Sequence, residues 1–169
     1  MNRYVVAVTV VLSSFLFGAT SGSAQVGIGI SAGAGPSFPI GELGEEADTG
    51  FNLRASVHLS GLPIELRGDG FFQQFNEAGE AGDPGWIRGL GGIANVIFRL
   101  PMVAVSPYVL GGLGLIHTED EHGHEAPADE LAFTAGVGLN VNRVFVEARV
   151  LLAGEHHRAI PITLGVRLF

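Results

Sequence analysis

The sequence predicts an all-β chain: an eight-stranded antiparallel up-and-down transmembrane β-barrel preceded by a signal peptide. Three observations predict it. Beyond residue 24, apolar residues alternate with polar or small ones at a period of two, in eight segments separated by turn residues. Longer and shorter connections alternate between those segments, as in barrels whose two ends face different compartments. The 169 residues are 47% hydrophobic with 26 glycines, yet they carry a formal charge of −8. Apolar surface and charge must therefore be segregated.

The first residues form a processing signal. Arg3 supplies a positive start, Val5 to Phe17 an apolar run, and Gly22-Ser23-Ala24 the small residues of a cleavage site. The run is shorter than the ~20 apolar residues of a spanning helix, which argues against an uncleaved anchor. Residues 1–24 are read as the signal peptide and 25–169 as one barrel domain. Cysteine is absent, which excludes disulfides and thiolate chemistry, and all nine basic residues are arginine. The acidic balance excludes a nucleic-acid partner, which would require a basic stripe.

The strands follow in order. Val26, Ile28, Ile30 and Ala32 share a face of the first, opposite Gly27, Gly29 and Ser31. In the second, Phe51, Leu53, Ala55, Val57 and Leu59 alternate with Asn52, Arg54, Ser56 and His58. The third sets Ile64, Leu66 and Gly68 against Glu65, Arg67 and Asp69. The fourth, within Ile87 to Leu100, sets Ala94, Val96 and Phe98 against Asn95 and Arg99. The fifth, Ser106 to Leu115, is uncharged and opens with Pro-Tyr. Its Val109, Leu113 and Leu115 face lipid, while Gly112 and Gly114 leave interior space. In the sixth, Leu131, Phe133, Ala135, Val137 and Leu139 oppose Ala132, Thr134, Gly136, Gly138 and Asn140. The seventh sets Val144, Val146, Ala148 and Val150 against Phe145, Glu147 and Arg149. The eighth sets Ile162, Leu164, Val166 and Leu168 against Thr163, Gly165 and Arg167. The connections 33–50, 72–86, 117–129 and 153–158 are the longer ones and define the outer end. The others lie with both termini at the periplasmic end.

The face that meets lipid is fixed by charge. No charged residue interrupts the apolar faces, whereas the opposite faces mix both signs with glycine. A slip of one residue would drive arginines into the bilayer at ~2–4 kcal/mol each near the midplane. Phe51, Trp86, Phe98, Tyr108, Phe133 and Phe169 are read as interfacial aromatics.

Pro107-Tyr108-Val109-Leu110-Gly111-Gly112-Leu113-Gly114, the later Gly136-Val137-Gly138 and the terminal Phe169 resemble the small eight-stranded outer-membrane β-barrel proteins. That group includes the OmpA membrane domain, OmpX and OmpW. The resemblance extends over residues 25–169. It implies an outer-membrane location in a Gram-negative-type cell, contact with outer-membrane lipid and lipopolysaccharide, and insertion by the outer-membrane assembly machinery. Phe169 departs from the pattern, because it is out of phase with Ile162, Leu164, Val166 and Leu168. Either a turn at the interface or a bulge accommodates it.

Phase places Arg54, Glu65, Arg67, Asp69, Arg99, Glu147, Arg149 and Arg167 in the lumen, where buried charges must pair. His117, His122 and His124 fall in the third outer loop, and His156 and His157 in the fourth. Adjacent loops meet at one rim, which makes these five weak metal candidates without the spacing of a closed site. Glu42, Glu45, Glu46, Asp48, Glu77, Glu80, Asp83, Glu119, Asp120, Glu121 and Glu125 lie outside the strands and make the outer end acidic. His58-Leu59-Ser60 offers a histidine and a serine with no third group to orient them, and no helix follows the glycine runs. The reading is a monomeric, non-enzymatic barrel without a cofactor, serving envelope structure or surface interaction. The alternatives are a narrow channel for small or apolar molecules and a soluble periplasmic ligand-binding barrel.

Overall fold

The computed structural model describes residues 27–61, 64–76, 85–100, 105–120, 128–154 and 157–168. Residues 1–24, read above as a signal peptide, and His122, His124, His156 and Phe169 lie outside the described residues. Eight strands run β1 (Gly27–Pro39), β2 (Gly50–Ser60), β3 (Glu65–Asn76), β4 (Trp86–Arg99), β5 (Ser106–Asp120), β6 (Ala128–Val141), β7 (Val144–Ala153) and β8 (His157–Arg167). One helical turn, α1 (Leu43–Glu46), lies between β1 and β2. Each strand pairs with its sequence neighbour, and β1 pairs antiparallel with β8, which closes the barrel.

The period of two sets the two faces. On β5, Leu115 is 61% exposed and points outward, while the adjacent Ile116 is 0% exposed and points in. Leu53, Leu90, Val109, Leu113, Val137, Leu164 and Val166 are likewise exposed and form an apolar outer wall. Ser31, Arg54, Arg67, Asp69, Asn95, Glu147, Arg149 and Thr163 are buried inside. This is the inside-out arrangement of a lipid-facing barrel.

The strands run farther at the outer end than the sequence predicts. β1 reaches Pro39, β3 reaches Asn76 and β5 reaches Asp120. The ladder continues through Ser37↔Gly50, Asn76↔Trp86 and Ile87↔Asp120. Gly33, Gly35, Pro36 and the polar His117-Thr118-Glu119-Asp120 carry loop-like composition, yet pairing with a formed neighbour overrides it. His117, Glu119 and Asp120 therefore belong to a strand.

The β1–β8 seam has an extra constraint. Pro36 and Pro161 bring no N–H to the ladder. The Asn52 side-chain amide reaches into the gap, 2.9 Å from the Gly35 carbonyl and 3.2 Å from the Ile162 carbonyl. Thr163 holds that amide in place by donating to its Oδ1 at 2.8 Å.

The interior is not uniformly polar. Leu43 and Ala47 pack on Phe75, Ile87 and Ala159, so α1 helps to close the outer mouth. Below that lie Ile93, Ile116, Ala132, Leu151 and Ala153, with Phe71 against them. Ile97, Tyr108 and Leu110 cluster nearer the short-turn end, the one the sequence reading assigns to the periplasm.

Candidate functional site

The lumen holds two ion-pair groups. The central one is organised by Glu147 on β7, which is 1% exposed. Its Oε1 accepts from Arg54 and Arg149. Its Oε2 accepts from Arg67 at 2.9 Å and from the Tyr108 hydroxyl at 2.6 Å. Asp69 is the second anion, 3.0 Å from Arg67 Nε and 2.6 Å from Arg149 Nη2. Asn95 also donates to Asp69, at 2.9 Å. Arg54 lies over the Phe145 ring, 5.2 Å from its centroid, which adds a cation–π contact.

The second group sits at the periplasmic end around Glu65. Arg99 donates to both oxygens of Glu65, at 2.6 and 2.9 Å, and Arg167 Nη2 donates at 3.0 Å. His58 Nδ1 lies 2.6 Å from the same carboxylate, and its Nε2 lies 2.7 Å from Ser31 Oγ. Serine, imidazole and carboxylate thus form a chain with the spacing of a hydrolytic triad. Ser31 is 1% exposed, however, and lies in a paired strand, so no substrate carbonyl can approach it. In this chain Ser31 and Glu65 fix the His58 ring.

The structure brings Arg54, Arg67, Asp69, Glu147 and Arg149 into one group and Glu65, Arg99 and Arg167 into the other. Tyr108 needs correction. It does not sit in an aromatic girdle but is 3% exposed and is a lumen donor to Glu147. Its inward parity with Gly112 and Gly114 was the available signal. Phe133 faces outward from mid-strand and not from a rim, paired with Leu113 and Leu152. Trp86 lies at the outer end of β4, with the Arg88 guanidinium 3.7 Å from its ring centroid.

Of the five candidate histidines only His117 and His157 lie among the described residues, and these two do not converge. His117 stands on β5 with Nδ1 2.8 Å from Asp129 and Nε2 3.4 Å from Glu119. Its two ring nitrogens point at different carboxylates, which is not how one ion is chelated. His157 starts β8 and is buried in the lumen, 3.3 Å from Gln73 Oε1. Among the described residues, no group of three such side chains is arranged to hold a metal ion.

Two cavities lie along the described lumen. A cavity of about 20 Å³, lined by Asn52, Arg54, Gln73, Thr134 and Arg149 among others, has room for about one water molecule. A larger cavity of about 360 Å³ lies at the periplasmic mouth, lined by Ile28, Gly29, His58, Ser60, Glu65, Asn142, Arg143 and Arg167.

A closed antiparallel eight-stranded barrel with an apolar exterior and a charge-filled interior defines a small outer-membrane-type β-barrel. Solved structures with this fold include Neisserial surface protein A, with TM-score 0.61, 18% identity, and coverage of 83% of this chain and 95% of that one. The attachment invasion locus protein Ail of Yersinia pestis matches with TM-score 0.50, 23% identity, and coverage of 83% and 97%. Ail in complex with the heparin analogue sucrose octasulfate matches with TM-score 0.50, 22% identity, and coverage of 85% and 99%. No family model matches the sequence, and no curated protein matches it significantly.

Proposed function

We propose that this chain is a monomeric, non-enzymatic outer-membrane barrel that serves envelope structure and surface interaction through its acidic outer end. The observation that carries this reading is the filled lumen. Among the described residues the centre of the lumen is occupied by the Glu147–arginine group, and the cavity beside it measures about 20 Å³, which favours a role for the outer surfaces over one for a conduit. Those surfaces suit the setting: an apolar wall for lipid, and exposed Glu42, Glu45 and Asp48 beside α1 at the outer mouth. Glu77, Glu80, Asp83, Glu121 and Glu125 add charge of the same sign to the outer connections. An acidic rim attracts a basic partner or divalent cations that bridge to anionic lipid headgroups. It repels a sulfated polyanion such as the one bound to Ail, so that ligand does not transfer. The exposed apolar wall disfavours a soluble periplasmic barrel.

Sidedness tests the reading cleanly, because the chain has no cysteine of its own. In intact cells, Glu45→Cys should react with a membrane-impermeant maleimide and Arg143→Cys should not. The purified barrel in neutral micelles should bind a basic surface in a salt-sensitive way. That binding should weaken in a Glu42→Gln, Glu45→Gln, Asp48→Asn variant. Labelling of Arg143→Cys alone, or binding unaltered by the triple variant, would overturn the proposal.

A further inference from the structure

Among the described residues, the periplasmic mouth carries more positive charge than its one carboxylate neutralises. Arg99 and Arg167 both pair with Glu65, and Arg143 lines the same cavity. Among the described residues, Arg143 has no side-chain ion pair or hydrogen bond. Three guanidinium groups therefore face one carboxylate, while His58 is held between Ser31 and Glu65. Among the described residues only Nη2 of Arg167 is engaged, and its side chain is 29% exposed, so the rest of the fork has no described partner.

The backbone that carries the two cavity arginines is fixed in advance. Asn142 and Arg143 form the two-residue turn between β6 and β7, with Asn142 at φ 56°. The Arg167 N–H donates to the Arg143 carbonyl at 2.7 Å, so the turn is tied to the end of β8. A cavity of about 360 Å³ is ample for a small oxyanion and a short organic group attached to it.

We propose that this cavity is an oxyanion-binding site, in which Arg143 and Arg167 clamp a phosphate or carboxylate group from the periplasmic side. Planar guanidinium forks suit both groups through paired charge-assisted hydrogen bonds. Above the site the described lumen is occupied by the Glu147 and Asp69 ion pairs, so the anion is held at the mouth. The site is independent of any role for the outer end.

The test is calorimetric titration of inorganic phosphate into the refolded barrel in maltoside micelles, which contain no phosphate of their own. Saturable binding is expected at low salt, weakening as salt is raised. Arg143→Gln should weaken it ~10-fold or more, the worth of one or two hydrogen bonds to a charged group. Because Arg143 is exposed and unpaired, that variant should keep the wild-type folded band on a denaturing gel. Arg167→Gln is the second variant, and Arg158→Gln, at the outer end, is the control that should bind like wild type. Repeating the titration in discs containing phosphatidylglycerol separates two sources of the ligand. Competition assigns the site to a lipid headgroup, and undiminished affinity assigns it to a free anion. Absence of saturable phosphate binding in micelles, or equal affinity in Arg143→Gln and wild type, overturns the proposal.

Discussion

Replacing Glu147 by glutamine removes one negative charge from the centre of the lumen and changes almost nothing in shape. In the native barrel Glu147 accepts from three arginines and from Tyr108. Hydrogen bonds to a charged group are worth ~1.5–3 kcal/mol each, so a simple sum would exceed the real loss. Arg67 and Arg149 keep Asp69, at 3.0 and 2.6 Å. Among the described residues Arg54 has no other carboxylate within ion-pair distance, and it is 7% exposed. Stranding one buried charge and loosening two others should cost about 3–5 kcal/mol. With a urea dependence of ~2 kcal/mol per molar, the unfolding midpoint in lipid vesicles should fall by ~2 M. The fluorescence of Trp86, the single tryptophan, and the heat-modifiable gel shift report the transition. A Glu147→Leu, Arg54→Leu double variant should recover part of the loss, since neither ion is then left alone. A Glu147→Gln midpoint equal to wild type would refute the view that this carboxylate holds the lumen together.

Tyr108→Phe keeps the ring and removes the donor to Glu147, and should lower stability by about 1–2 kcal/mol in the same titration. Gly114→Ala drives a methyl group into the Gly92 carbonyl of the neighbouring strand and should cost ~1–3 kcal/mol. Gly70→Ala on the outer wall meets nothing within 4 Å and should shift stability by no more than ~0.5 kcal/mol. In planar bilayers the wild-type barrel should leave conductance at the bare-lipid level, and stable single-channel steps would contradict the filled lumen.

The strand phases were legible because a lipid-facing wall allows no charge on one side. Arg54, Glu65, Arg67, Glu147, Arg149 and Arg167 each fixed the parity of a strand, and the alternation in β2 and β7 is almost unbroken. The outer reach of the strands was not legible, because beyond the bilayer neither face must be apolar and the signal fades. Phe71 and Phe72 show this. They are identical neighbours, yet Phe71 packs inside and Phe72 lies outside, 5.9 Å from Phe51. Tyr108 was misread by weighing its distance from a strand end above its parity. The pairing of Arg54 with Glu147 across the lumen could not be read at all. Alternation says which way a side chain points, and only closure says what it meets.

The hub of the lumen has a consequence for the order of assembly. Arg54 and Arg67 lie 93 and 80 residues from Glu147 in the chain, on strands that are not its neighbours. An open sheet with β1 and β8 still apart would leave these charges facing one another across empty space. Arg67 would keep Asp69 on its own strand, but Arg54 would lack the carboxylate that makes its burial tolerable. Hairpins can form early from local contacts, but the pairs that cross the lumen, Arg54 and Arg67 with Glu147 and Arg149 with Asp69, form only when the last seam is sealed. Closure is thus the step that makes the interior chemically acceptable, and a barrel missing one strand should have no stable intermediate on which to rest.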